Sequence, residues 1–334
     1  MTKKNAKKRA ARALKEAHGG SYQHHLRHVG GADGRPNDGA MTATAAQSGP
    51  SPSPAASNDL LGEFHSRAMM EHVLRRSVAL LFHSPDDRVI GIGSGTCVEI
   101  AGRYFVATCA HNVTGVASLR EIGVIPLQKA GLTGTQTPRL IGSGSRGGGD
   151  YDAVDIGWLE IEPRAIPRMV SEWDRIFVTL DRFRLAPVQT DSPAYVFGAP
   201  WEYKQDSEVG GLPFHRIGAL PYLTRTVDVK DGRAPERSLF VEYKGEMKTA
   251  EGTKPLPNAH GLSGSGLWVV NPQRAAIWTP DLAQFAAIQH AWARGEHLSG
   301  TLVREWLQML REDIPDVSSA IDPLLDGGRY APTG

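Results

Sequence analysis

This 334-residue sequence predicts an all-β fold with a helix near its C-terminus and a disordered N-terminal tail. Three observations carry the prediction. From Val89 onward, short apolar runs alternate with Gly and Pro at close spacing, as in a barrel or sandwich. Residues 29–57 are mostly Gly, Ala, Ser, Pro and Thr, too poor in large apolar side chains to offset the entropy of ordering. Near the end, Leu302, Trp306, Met309 and Leu310 recur at helical spacing.

Residues 1–28 set Lys3, Lys4, Lys7, Lys8, Arg9, Arg12, Lys15 and Arg27 against a single acid, Glu16. Such an arm is either a solvated tail or a contact for nucleic acid or another acidic surface. His24, His25 and His28 stand nearby but lack a fourth ligand and a rigid scaffold, so no metal is expected. Residues 1–57 therefore read as tail and linker, and residues 58–334 as one folded domain. Asn58 or Asp59 is placed to cap a helix running through Leu60, Leu61, Phe64, Met69 and Val73. Ser77–His83 reads as a strand, apolar on both faces over Val78 to Phe82. Thr96–Ile100 and Tyr104–Thr108 flank Ala101-Gly102-Arg103, a hairpin signature. Further strands are expected at Ile156–Ile161, Ala194–Phe197, Leu239–Tyr243, Gly266–Val270 and Ala286–His290. A helix is expected over 299–313, and irregular chain from Pro315.

Composition excludes several classes. The net charge of +1 gives the whole molecule no strong pull toward nucleic acid or membrane. Only Cys97 and Cys109 are present, which excludes a disulfide-dense scaffold and leaves one bridge or two thiols. The expected hairpin register sets Cys97 opposite about Ala107 rather than Cys109, which favours two buried thiols and a reducing compartment. No run approaches the roughly 18–20 apolar residues of a membrane span, and no apolar run follows the N-terminal charges, so the expected location is the cytoplasm.

Three segments carry chemistry. The first runs from Gly93-Ser94-Gly95 through the hairpin to Thr108-Cys109-Ala110-His111-Asn112-Val113. The second is Asp155-Ile156-Gly157-Trp158-Leu159. The third is Gly261-Leu262-Ser263-Gly264-Ser265-Gly266. A serine hydroxyl is a weak nucleophile until a base takes its proton, and histidine has a suitable pKa for that task. A carboxylate on the other ring nitrogen holds the tautomer. Backbone N–H groups beside the serine can hold an oxyanion, and glycines permit the turn that aims them. His111 ends a buried strand and Asp155 begins an apolar one. The N–H groups of Gly261 and Ser263 are the candidate oxyanion donors. Asp150 and Asp152 lie close to Asp155, which is preferred because it directly precedes the strand; Asp152 comes next. His260, three residues before Ser263, is expected to be a loop residue near the cleft, and His83 to be structural.

In their order His, Asp, Ser, these segments resemble the chymotrypsin/trypsin family of serine proteases, in the form of bacterial trypsin-like peptidases. Thr108-Cys109-Ala110-His111 is similar to that family's Thr-Ala-Ala-His motif, and Gly261-Leu262-Ser263-Gly264-Ser265 to its Gly-x-Ser-Gly-Gly. Tyr195-Val196-Phe197-Gly198-Ala199-Pro200 is similar to the strand end before its serine. The resemblance spans roughly residues 75–313. It implies two packed six-stranded antiparallel β-barrels with the site in the cleft between them, a C-terminal helix, an acyl-enzyme on Ser263, a peptide or protein substrate and no cofactor. The sequence departs from the family in three places. Leu262 replaces the Asp that pairs with a newly cut N-terminus, so activation by that ion pair is not expected. Ser265 and Gly266 replace Gly and Pro, which leaves preorganisation of the loop open. Lys254–Asn258 holds no acid to select Lys or Arg. An active endopeptidase is the first expectation. A protease-like binding module, tethered or not by the basic arm, is the second.

Overall fold

The computed structural model describes residues 67–326 apart from 85, 87, 128–129, 133–136, 149–153, 210–211, 230–234, 250–251 and 271–278. The chain divides into two compact units, residues 1–63 with 206–214, and residues 64–205 with 215–334. Described residues of the first are strand segments within 206–214. All that follows concerns the second. The basic arm, the linker, the expected cap at Asn58 or Asp59, Asp150 and Asp152 lie outside the described residues. No helix among the described residues is long and apolar enough to cross a membrane.

Two six-stranded antiparallel sheets dominate this unit. Residues 67–74 form helix α1. The first sheet contains β1 (Ser77–His83), β2 (Val89–Ile100), β3 (Arg103–Thr108), β4 (Ile122–Pro126), β5 (Leu140–Gly147) and β6 (Asp155–Ile161), with the short helix α2 (Ala110–Thr114) after β3. Its strand order is β4-β1-β2-β3-β6-β5. Helix α3 (Ile166–Ser171) leads away from it. The second sheet contains β7 (Pro193–Gly198), β8 (Leu220–Arg225), β9 (Ser238–Glu242), β10 (Gly266–Val270), β11 (Ala283–Ala293) and β12 (His297–Leu302), in the order β8-β7-β10-β11-β12-β9. Its outer strands meet through the bridge Thr226↔Val241, where Val227 N donates to Phe240 O at 3.0 Å. Among the described residues no ladder joins β4 to β5.

The residues explain these elements. In β1, Val78 and Leu80 enter one apolar cluster with Cys97, Val106 and Leu159, while Ala79 and Leu81 enter another with Phe105, Trp158 and Trp268. Successive strand side chains point to opposite faces, so a strand buried on both must be apolar throughout. The β2–β3 hairpin closes on Ala101 and Gly102 at φ +52° and +74°, the two positive φ values of a two-residue turn whose twist matches the strands. The observed register sets Cys97 opposite Val106 and Thr96 opposite Ala107, one residue from expectation. Both cysteines are buried free thiols. Burial pushes Cys97 up to about 12, despite the Arg175 charge nearby.

The C-terminal end differs from expectation in two ways. β12 extends through Leu302, so helix α4 covers Val303–Asp313 rather than starting at 299. Residues from Pro315 are not irregular but form α5, Pro315–Asp326. Proline is at home in the first turn of a helix, where its missing N–H is not needed, and Val317 and Ile321 bury a four-residue stripe against the core. The prolines hid this helix. α4 clamps β6: Trp306, fully buried, donates from Nε1 to Gly157 O at 2.9 Å, and Trp158 Nε1 donates to Asp313 Oδ2 at 2.9 Å. Arg103 grips Glu160 on the same strand through two 2.8 Å bonds.

Trp306→Ala removes this anchor and its apolar volume, so it is expected to lower unfolding free energy by about 3–5 kcal/mol. Trp306→Phe keeps most of the volume but leaves Gly157 O without its donor, and is expected to cost about 1–3 kcal/mol. Urea unfolding of both variants measures the difference.

Candidate active site

The site is built around one buried carboxylate. Helix α2 follows Cys109, whose side chain makes no capping hydrogen bond. The first N–H groups of a helix have no partner within it. Here Ala110 N and His111 N donate to Asp155 Oδ1 at 2.5 and 3.2 Å. The other oxygen, Oδ2, accepts from His111 Nδ1 at 2.6 Å. Asp155 thus caps the helix and orients the imidazole that the helix carries. Asp155 N in turn donates to Thr301 Oγ1 at 3.2 Å, tying the start of β6 to β12. Burial pushes the Asp155 carboxyl up, but the hydrogen bond and charge of His111, the charge of His290 and the backbone N–H outweigh it, and the pKa falls below its ordinary value of 3.8. The carboxylate is therefore an acceptor only, and Nδ1 carries the proton.

The second ring nitrogen, Nε2 of His111, stands 3.4 Å from Cys109 Sγ. Burial, and then the negative charge of Asp155, hold the Cys109 thiol well above its ordinary value of 9.0. The sulfur is therefore a neutral S–H, a weak donor to Nε2. Asp155, His111 and Cys109 offer ligand atoms within 4.8 Å of one another. The carboxylate sits on Nδ1 of the ring and the thiol on Nε2, and these contacts form a hydrogen-bonded chain.

The Ser263 loop is held from several sides. Gly261 has φ +92°, and a Cβ there would meet Ala199 O and Trp201 N. Gly264 has φ +91°, and a Cβ would meet Ser94 O and Thr108 Oγ1. Ser94 N donates to Ser263 O at 2.8 Å, and Ser94 Oγ donates to Gly261 O at 2.8 Å while accepting from Ala199 N at 2.9 Å. Asn112, one residue beyond His111, donates from Nδ2 to Ser263 O at 2.8 Å and to Thr108 Oγ1 at 2.9 Å. A Cβ at Gly93 would collide with Asn112. That close approach explains the glycine in Gly93-Ser94-Gly95. Leu262 is fully buried among Ala259, Leu267 and Ala286, so apolar packing anchors the loop where the resemblance would put an ion pair. Ser265, also fully buried, donates from N to Leu262 O at 2.8 Å and from Oγ to the same carbonyl.

Three backbone donors along this loop are committed. Leu262 N goes to Ala259 O, Gly264 N to Gln289 O, and Ser265 N to Leu262 O. Among the described residues Gly261 N, Ser263 N and Ser263 Oγ make no hydrogen bond. Backbone donors in a packed protein are nearly all paired. The N–H of Ser263 and that of Gly261, two residues before it, are thus the donors of this loop that the protein leaves uncommitted.

The expected residues thus come together as follows. His111 and Asp155 are bonded directly. Ser263 is bound through its backbone to Asn112 and carries the two uncommitted donors. His260 is exposed, edge-on to Trp201 with ring centroids 6.2 Å apart. His83 is buried in the first sheet. Glu202 Oε1 accepts from Asn258 N at 3.1 Å, bringing an acid to the 254–258 segment that has none of its own. The sequence reading missed Ser94, Asn112, the placing of Cys109 against Nε2, and His290. Of these Ser94, Cys109 and Asn112 lay within the first segment, and His290 ended an expected strand.

No family model and no curated protein matches the sequence. Among solved structures the chain is similar to the serine endoprotease from Yersinia pestis, at 12% identity over 75% of this chain and 67% of that one, with a TM-score of 0.44. It is similar to the Rv3671c protease from M. tuberculosis in its active form, at 16% identity over 81% and 93%, with a TM-score of 0.41. It is similar to HBP at 11% identity over 72% and 93%, with a TM-score of 0.43. At these identities and TM-scores the neighbours assign no chemistry to this chain.

Because the folded pKa of Asp155 lies below 3.8, its stabilisation is complete above that value and is lost as the pH falls through the lower, folded value. Asp155→Asn is expected to cost about 1–3 kcal/mol at neutral pH, since an amide cannot accept all three donors. The gap between parent and variant should close as the pH drops below 3.8, measured by urea unfolding across the acid range.

Proposed function

We propose that this chain is a serine-type endopeptidase, with Ser263 as nucleophile, His111 as base and Asp155 as the carboxylate that orients it. In this reading the two six-stranded sheets are the two barrels of a chymotrypsin-like protease. The observation that carries it is the pair of uncommitted N–H groups at Gly261 and Ser263, beside a serine hydroxyl with no partner of its own. The His111–Asp155 hydrogen bond supports the same reading, because it fixes Nδ1–H and leaves Nε2 as an acceptor.

The reaction then runs in two halves. Ser263 Oγ attacks the peptide carbonyl carbon and gives its proton to His111 Nε2. The imidazolium is stabilised by Asp155, and the oxyanion by Gly261 N–H and Ser263 N–H, each donor worth about 10²–10³ in rate. Collapse breaks the C–N bond, the leaving amine takes the proton from Nε2, and the acyl group stays on Ser263. A water molecule then attacks the ester and loses a proton to Nε2; the bond from the acyl carbon to Ser263 Oγ breaks, the acid leaves, and Nε2 returns the proton to Ser263 Oγ. Before the first step His111 Nε2 must exchange the Cys109 S–H for the Ser263 O–H, a change of partner for one ring nitrogen. Tyr243, whose hydroxyl donates to Pro257 O at 2.8 Å, and Trp292, edge-on to it, make the flank before Gly261 aromatic. That flank suits an uncharged side chain of the substrate.

A second reading is favoured by one observation, the seating of Nε2 on Cys109 rather than on Ser263. It takes the fold as a binding module in which the base is held away from the serine.

A fluorescent serine-directed phosphonate separates the two. The parent is expected to label, Ser263→Ala not at all, and His111→Ala slower by on the order of 10³-fold or more. Absence of labelling in the parent across the neutral range would support the binding module instead. Cys109→Ala removes the competing S–H and converts 108–111 to Thr-Ala-Ala-His. Its labelling rate is expected to rise above that of the parent, and a rate equal to or below the parent's would mean that the thiol does not restrain the base.

A further inference from the structure

A peptide group is planar and trans, so its C=O and N–H point in opposite directions. A hydrogen bond that holds the carbonyl therefore also aims the N–H on the far side. Gly261 N belongs to the peptide that begins at His260, and Ser263 N to the peptide that begins at Leu262. Both of those carbonyls are held. His260 O accepts from Trp201 N at 2.8 Å. Leu262 O accepts from Ser265 N at 2.8 Å and from Ser265 Oγ. The two uncommitted donors of the serine loop thus lie on peptide planes that are fastened from behind.

The fastening matters most at Gly261. Its φ of +92° is one that glycine adopts readily. The same freedom admits the reversed peptide, with His260 O turned to where the N–H had pointed. Trp201 opposes that reversal, which would break its bond and set one N–H against another. The next peptide is held too, since Gly261 O accepts from Ser94 Oγ at 2.8 Å. Trp201 opens the 3-10 turn Trp201–Tyr203, and a first N–H has no partner within its own turn. The turn is itself anchored. Glu202 Oε1 accepts from Asn258 N at 3.1 Å, and Tyr203 O from Gly218 N at 3.1 Å. Ser265 is fully buried, and its hydroxyl gives Leu262 O a second donor that the glycine of the resembled motif would lack.

We propose that Trp201 and Ser265 are positioning residues that aim the two oxyanion donors, Trp201 through its backbone N–H on His260 O and Ser265 through its N–H and hydroxyl on Leu262 O, so that the donors converge before substrate arrives. The proposal rests on the reading of Ser263 as the nucleophile.

One substitution removes the Trp201 N–H with little else to disturb the backbone. Trp201 is the first residue of its turn, and Pro200 before it has φ −60° and ψ 138°, the extended conformation that a following proline requires. Trp201→Pro deletes the donor. Trp201→Ala also lacks the indole but keeps the N–H, so the pair isolates one hydrogen bond. Phosphonate labelling of the full chain is followed against phosphonate concentration. At saturation Trp201→Pro is expected to label about tenfold or more slower than Trp201→Ala, toward the roughly 10²–10³ that loss of an oxyanion donor costs, with a similar half-saturating concentration. Ser265→Ala keeps its N–H and loses the hydroxyl, and its saturating rate is expected to fall several-fold below the parent's. Trp201→Pro labelling as fast as Trp201→Ala, or Ser265→Ala as fast as the parent, would overturn the proposal. Should Trp201→Pro fail to fold, Ser265→Ala decides. Carbon-13 at the histidine carbonyls with nitrogen-15 in glycine selects two peptides by NMR, His18–Gly19 and His260–Gly261, and His18→Gln removes the first. The His260 carbonyl signal is expected to move upfield from Trp201→Ala to Trp201→Pro, and a signal that stays in place would also overturn the proposal. If the parent does not label at any pH, the endopeptidase reading fails, and this signal still decides whether Trp201 holds the His260–Gly261 plane.

Discussion

The Asp155 carboxylate is the constraint on which the rest of the site depends. It is only 7% exposed, and it takes three donors from one helix turn. A buried carboxylate is tolerated only when its oxygens are engaged, and a helix N-terminus needs acceptors. Each meets the other's need. The consequence is geometric: the direction of α2 and the orientation of the His111 ring are set by the same atom pair. The cost of burying the charge is offset by those donors, and the low carboxyl pKa is the measure of that balance.

Asp155 is itself held by structure at some distance. β6 is buried along its whole length and pinned by α4 through Trp306 on Gly157 and by Asp313 on Trp158. The second sheet reaches the same point through Thr301. The serine loop is fixed separately, by Leu262 packed beneath it, by the Ser94 and Asn112 hydrogen bonds, and by Gln289 of β11. Gly261 N and Ser263 N are left without a hydrogen-bond partner among the described residues. Leu262 holds the loop by apolar packing, with no ion pair at that position.

Much of this was legible in the residues. β1 and β10 match the ranges read from apolar runs, Ser77–His83 and Gly266–Val270, because a buried strand must be apolar at each position. The hairpin at Ala101-Gly102 was legible because few residues accept positive φ. Periodicity failed where proline masked it, at α5, and where a strand ran on into a helical pattern, at β12 and α4. The hairpin register slipped by one residue because alternation on a strand buried on both faces carries no phase. Ser94 and Asn112 gave no signal of their own, since a serine and an asparagine near glycines are common in turns.

The sequence by itself determined the chemical parts: a histidine closing an apolar strand, an aspartate opening one, and a serine between glycines that only a positive φ explains. Local rules suffice for these, because strand burial and backbone conformation depend on neighbours along the chain. Only the tertiary structure decided that Asp155 caps the helix 44 residues before it, that Ser94 holds Gly261 across 167 residues, and that Asn112 holds Ser263 across 151. It alone decided that Nε2 of His111 rests on Cys109 and that a bulge turns His290 out of its ladder. Those are matters of register and of which hydrogen-bonding groups remain once the sheets have formed. Each depends on the sum of many distant contacts, which no local pattern records.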